Sequence, residues 1–177
     1  MALPQLSAEE LLAWYEKTSM GWRALLNEHP KLLDQPSDIA GTQTVGGVLQ
    51  HIVAVELRYA EHLAELPATD YANIPFDSVE TLYATHDRAM QLFRHALARD
   101  SDWDERIEFI TRSMGPARAS RKAVLFHAML HGVRHYAQLA TLVRREGIKA
   151  ELGHGLPGNG LGAPLIRSSS RPFRPKD

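Results

Sequence analysis

Three histidines, His127, His131 and His135, recur at every fourth position in KAVLFHAMLHGVRHYAQLATLVRREG. An α-helix turns once in about 3.6 residues, so side chains at i and i+4 leave the same face one turn apart. The rest of the stretch is rich in Ala, Val and Leu and reads as a helix that packs. An inward line through Val124, Ala128, His131, His135 and Leu142 sets two imidazoles among apolar side chains. Neutral imidazoles in a core need a partner for each ring nitrogen. A transition metal satisfies one nitrogen of each ring, and the other can donate to a carbonyl or carboxylate. His-x-x-x-His on a rigid helix offers two ligands, and a metal held this way usually takes a third from another element. His51, between Val48 and Val55 on the edge of an earlier apolar stripe, is the candidate for that third arm. Three protein ligands leave a position for water or substrate, which is the style of a catalytic site. Zn, Ni, Fe, Co and Mn all accept nitrogen ligands, so the metal is not fixed. Spacing alone equally allows histidines that merely sit on a surface or pack in a core.

The remaining candidates are weaker. His127 lies one turn before the pair and reads as a rim residue or a hydrogen-bonding neighbour of the ligands. His86 falls on the inner line of a third helix, as a base, a fourth ligand or a packed neutral ring. Glu56 and Tyr59 are, with His86, candidates for supporting the ligands or handling protons. His29, His62, His95 and His154 show no convergent spacing and read as surface or terminal residues.

Four amphipathic helices would position these groups. The first is expected from about Ser7 to Glu28, with Ser7 and Glu10 as a capping box and Leu11, Leu12, Tyr15, Trp22, Leu25 and Leu26 on its apolar face. The second covers Val45 to Leu66 and stops before Pro67; its inner stripe is Val48, Ile52, Val55, Tyr59, Leu63 and Leu66. Gly46 and Gly47 weaken its opening turn unless they mark a close helix contact. The third runs from about Ser78 to Arg99, capped by Asp77 with Glu80. DERIEFITRS then alternates weakly and Gly115-Pro116 marks a turn, so a short hairpin or extended crossover is expected. The fourth runs from about Ser120 to Arg145, with Gly147 as C-cap. The expected fold is all-α: a four-helix bundle with a short extended or hairpin segment before the last long helix. Residues 1–150 form the bundle domain, and residues 151–177 form a Gly/Pro/Ser-rich tail.

Composition narrows the function classes. The chain has 177 residues and no cysteine, which excludes a cysteine nucleophile, a thiolate metal site and a disulfide scaffold of its own. Formal net charge is -1, from 20 basic and 21 acidic side chains, and gives no basic stripe for nucleic acid. The opening MALPQLSAEE lacks the charged and apolar regions of a signal peptide, and no apolar run approaches the roughly 20 residues of a membrane span. A cytoplasmic protein acting on a small molecule, with neither nucleic acid nor membrane as partner, is expected.

VGGVLQHIVAVELRYAEHL and VLFHAMLHGVRHYAQLATLVRREG together resemble the DinB/YfiT-like metalloenzyme superfamily. Its members carry a helix-borne histidine, then a late HxxxHxxxH followed by Gln, Leu and an Arg-x-x-Gly ending. The resemblance spans the first helix through Gly147 and leaves out the tail. It implies a four-helix bundle whose link between helices two and three departs from simple up-down order. It also implies a metal triad of His51, His131 and His135. The family's frequent Arg-Gly before the glutamine is replaced here by Tyr136-Ala137. Some relatives are thiol-dependent S-transferases or isomerases using low-molecular-weight bacterial thiols, and relatives are often dimers. The resemblance thus implies a metal-dependent S-transferase with an external thiol. A metal-dependent hydrolase and a non-catalytic metal-binding stress-response protein are the alternatives, with a homodimer compatible with each.

Overall fold

Each long helix opens on a hydroxyl. Ser7, Thr44, Ser78 and Ser120 accept hydrogen bonds from the backbone N–H groups of Glu10, Gly47, Thr81 and Ala123. They begin α1 (Ala8–Glu28), α2 (Val45–Leu63), α3 (Val79–Leu97) and α4 (Arg121–Arg145). An N-cap of this kind satisfies a donor that the helix leaves free and typically contributes about 1 kcal/mol. The computed structural model describes residues 6–111 and 115–148. His154 and the tail of residues 151–177 lie outside the described residues, as does the stretch of residues 112–114.

An antiparallel pair, β1 (Arg106–Thr111) and β2 (Gly115–Ser120), precedes α4 and makes the expected hairpin. Gly115-Pro116 does not form its turn, however. Both residues belong to β2, where they face Thr111 and Ile110. The cap of α3 also differs from expectation. Ser78 and Thr81 form the capping box, while Asp77 accepts from the Thr81 hydroxyl at 2.9 Å. α2 ends at Leu63 rather than Leu66, because Glu65 turns to φ 60° and the Leu66 N–H returns to the Glu61 carbonyl at 2.8 Å. Leu66 is consequently exposed and leaves the predicted stripe.

Contacts between helices fix their directions. Glu56, Glu61 and Glu65 of the α2 end meet His86, Arg88 and Arg99 in rising order, so α2 and α3 run parallel. His51 meets His131 while Arg121 meets the Leu63 carbonyl, so α2 and α4 are antiparallel. Tyr15 and Ser19 of α1 meet Gly132 and Tyr136 of α4, again in rising order. The bundle is therefore up-down-down-up. The parallel link needs a return along the length of α2, and α2 itself pins it: Gln50 donates to the Ile74 carbonyl at 2.6 Å, Arg58 to the Thr69 carbonyl at 2.6 Å, and Glu61 accepts from Thr69 at 2.7 and 2.6 Å.

α2 is the central rod. Its buried residues include Leu49, Val53, Glu56, Leu57, Ala60 and Glu61 beyond the single predicted stripe, because α3 and α4 cover two of its faces. Val55 and Tyr59, predicted inside, are half-buried and face a cleft. Gly46 does mark a close approach, though to the connection before α2: a Cβ there would lie 3.2 Å from the Leu33 carbonyl oxygen. The closest approach occurs at Gly132 on α4, where an added Cβ would lie 1.9 Å from the Tyr15 hydroxyl oxygen. On α4, Val124, Ala128 and His135 of the expected line are buried, together with Leu125, Met129, Gly132, Tyr136 and Leu139 on the face toward the rest of the bundle, while His131 and Leu142 are half-buried.

Gly132→Ala should therefore lower the urea midpoint, with a loss of about 1–3 kcal/mol, the usual cost of overpacking a filled contact. Tyr15 is anchored by Glu56 and cannot swing aside freely. An unchanged midpoint would show that α1 and α4 approach less closely than this.

Candidate metal centre

The flank of α4 and the opening turns of α2 meet at three imidazoles. His131 Nε2 lies 3.0 Å from His51 Nε2 and 3.2 Å from His135 Nε2. The three rings are edge-on to one another, with His51 and His135 centroids 5.0 Å apart. The three residues together offer ligand atoms that all lie within 4.8 Å of one another. Metal–nitrogen bonds of about 2.0–2.1 Å place two ligand nitrogens about 3.0–3.4 Å apart. The spacing of this cluster fits a metal ion in that range. A proton shared along a hydrogen bond could join one pair of nitrogens but has no equivalent for all three.

The outer side of the cluster is also arranged. His135 Nδ1 donates to Gln138 Oε1 at 2.7 Å, which leaves the Nε2 lone pair directed at the cluster. Gln138 lies in the recognised motif, but its role needs the helical register to be read: i and i+3 are neighbours on the surface. Burial first, then the neighbouring His135, His51 and Arg134, push the His131 pKa down to about 3. Burial likewise lowers that of His135. Neutral imidazoles, the form that binds metal, are therefore favoured at neutral pH.

A cleft of about 720 Å³ opens beside the cluster. His51, His131, His127, Tyr59, Val55, Phe109, Arg58 and Arg134 are among its walls. The hairpin contributes Phe109, whose ring stands 5.4 Å from that of Tyr59. His127 stays out of the cluster and exposed, with its ring 5.6 Å from Tyr59. Its pKa is lowered by burial and then by Arg134. Burial raises that of the Tyr59 phenol.

Glu56 and His86 occupy a different place. Glu56 is fully buried, accepts from Tyr15 and lies 2.7 Å from His86 Nδ1. Ser19 Oγ bonds the Tyr136 hydroxyl at 2.9 Å, and the Tyr83 hydroxyl donates to the Ser19 carbonyl at 3.1 Å. This polar network lies on the side of α4 that faces α1, behind the cluster. Tyr15, Ser19, Tyr83 and Tyr136 were not foreseen as polar partners. Of the four histidines expected at the surface or terminus, His29 and His95 are exposed, while His62 is half-buried against Phe109 at 5.7 Å.

The profile described as the DinB family matches residues 5–153 of the chain. No curated protein matches it.

The two histidine environments titrate in opposite senses. Burial pulls the His86 pKa down, but the Glu56 carboxylate more than offsets it and the net shift is upward. The contribution of that pair is full below the unfolded value of about 6.5 and is lost as pH rises through the folded pKa. The lowered pKa values in the cluster give stability that is lost as pH falls below about 6.5. In metal-free protein, raising the pH from about 6.5 to about 9 should lower the urea midpoint, and His86→Gln should flatten that decline. An equal decline in both proteins would assign it to other groups.

Proposed function

The chain belongs to the DinB family, and on that premise we propose that it is a metal-dependent enzyme whose centre is held by His51, His131 and His135. The observation that carries this reading is the approach of three Nε2 atoms from two helices to 3.0 and 3.2 Å. No helix among the described residues is long and apolar enough to cross a membrane, and the cleft has the size of a small-molecule site.

A divalent cation at this centre supplies positive charge that lowers the pKa of a thiol or water sharing its coordination sphere. The chain has no cysteine of its own. A nucleophilic thiol must therefore come from outside, and the reading favoured is S-transfer from a low-molecular-weight thiol to an electrophile. Tyr59 and His127 stand where they can handle protons at the cleft: a neutral phenol as donor, a neutral imidazole as acceptor. The apolar walls from Val55 and Phe109 limit water around the reacting groups. Gln138 holds the His135 ring in the metal-binding tautomer. Glu56 and His86 support the site through the packing of α1, α2 and α3.

His131→Ala should lower metal occupancy of untagged protein at least about tenfold, and Gln138→Ala should weaken metal affinity about 10–100-fold. His127→Ala should leave occupancy intact. Elemental analysis and chelator competition measure these effects, and undiminished metal in His131→Ala would remove the triad. Turnover against a panel of electrophiles should require both metal and added thiol. Turnover without thiol would assign the nucleophile to water, and inactivity across the panel would count against S-transfer.

A further inference from the structure

The walls of the cleft carry an unbalanced charge. Arg58, Arg118 and Arg134 line it, and no Asp or Glu is among its lining residues. Arg118 faces Glu108 across the hairpin, so a counter-charge stands near it. The other two differ. Arg58 spends its donors on backbone carbonyls, Thr69 at 2.6 Å and Ile110 at 3.3 Å, which fix the guanidinium without neutralising it. Arg134 donates to the neutral His135 Nε2 at 3.4 Å, on the ligand side of the cluster, which holds the guanidinium there without neutralising it. The arginine ion pairs among the described residues engage Arg23, Arg88, Arg94, Arg99 and Arg121. Beside these cations the cleft is apolar, with Val55, Tyr59 and Phe109.

A guanidinium directed at a cation-binding cluster is held against like charge unless an anion lies between them. We propose, resting on the reading of His51, His131 and His135 as a metal centre, that the site selects an amphipathic organic anion. Its carboxylate pairs with Arg134 next to the imidazole cluster, and its apolar body lies against Tyr59 and Phe109. Arg58 adds positive potential farther along the same wall. The planar fork of arginine suits a carboxylate in this role, where a lysine would offer only a point charge. Arg134 immediately precedes His135, which sets the guanidinium beside the cluster.

The test compares 4-phenylbutyrate with its neutral amide by isothermal titration, on metal-free and zinc-loaded protein. The metal-free arm isolates the arginine, because a carboxylate can also ligate zinc directly. The acid should bind metal-free wild type about tenfold more tightly than the amide, and the gap should close in Arg134→Gln. Added salt should weaken the acid and leave the amide unchanged in wild type, a readout that does not depend on the variant folding. Equal binding of acid and amide, binding of neither, or a gap that survives Arg134→Gln would overturn the proposal. Zinc binding without acid preference would sink this inference alone. Acid preference without zinc binding would sink the metal reading alone.

Discussion

The Glu56 carboxylate has no access to water, and the bundle is organised around it. It sits midway along α2, accepts from Tyr15 of α1 and pairs with His86 of α3. A buried carboxylate that loses one such partner is left as an uncompensated charge, typically a loss of about 3–5 kcal/mol. The alignment of three helices is thereby restricted to the one in which both partners reach it. The fourth helix is joined through Tyr15, which presses on Gly132, and through Ser19, which bonds Tyr136. Gly132 and Tyr136 are the sequence neighbours of His131 and His135. The rotation that satisfies this network on one side of α4 therefore presents the imidazoles on the other.

That division separates support from chemistry. The network is closed and aromatic: Trp22 stacks on Tyr136 at 5.7 Å, and Tyr15 and Tyr83 flank His86 at 6.3 and 5.7 Å. The cleft is open, walled by apolar residues and cationic at its charged positions. A packed, hydrogen-bonded backing reduces the freedom of the three imidazoles.

Much of this arrangement is legible in the sequence because it is local. The cap at Ser7, the start of the last helix at Ser120, the four helices and the paired imidazoles of α4 follow from hydroxyl placement and helical period. His51 was legible from its place at the edge of an apolar stripe. The Glu56 network was not. A single-stripe reading of α2 assumes one covered face, while the helix has two, so the pattern makes Glu56 a candidate helper of the histidines and gives it no partner on α1. Its partners gave no pattern either, since Ser19 and Tyr136 are 117 residues apart in sequence. Nothing in the helical pattern singles out Arg58 and Arg134; they share a cleft wall only because the hairpin brings Phe109 to the same place. The end of α2 departs from expectation because the backbone closes locally at Glu65, with φ 60° and the Leu66 N–H on the Glu61 carbonyl, where only Pro67 marked a stop in the sequence.

The parallel course of α2 and α3 has a consequence for assembly of the chain. His131 and His135 acquire their spacing as soon as one helical segment forms, but His51 lies 80 residues from His131. The return segment laid along α2 and the hairpin that redirects the backbone together bring the early imidazole to the late pair. Loop-closure entropy must be overcome before that meeting yields any stabilisation. Nascent chains halted before α4 would thus hold His51 without His131 and His135, the other two members of the cluster.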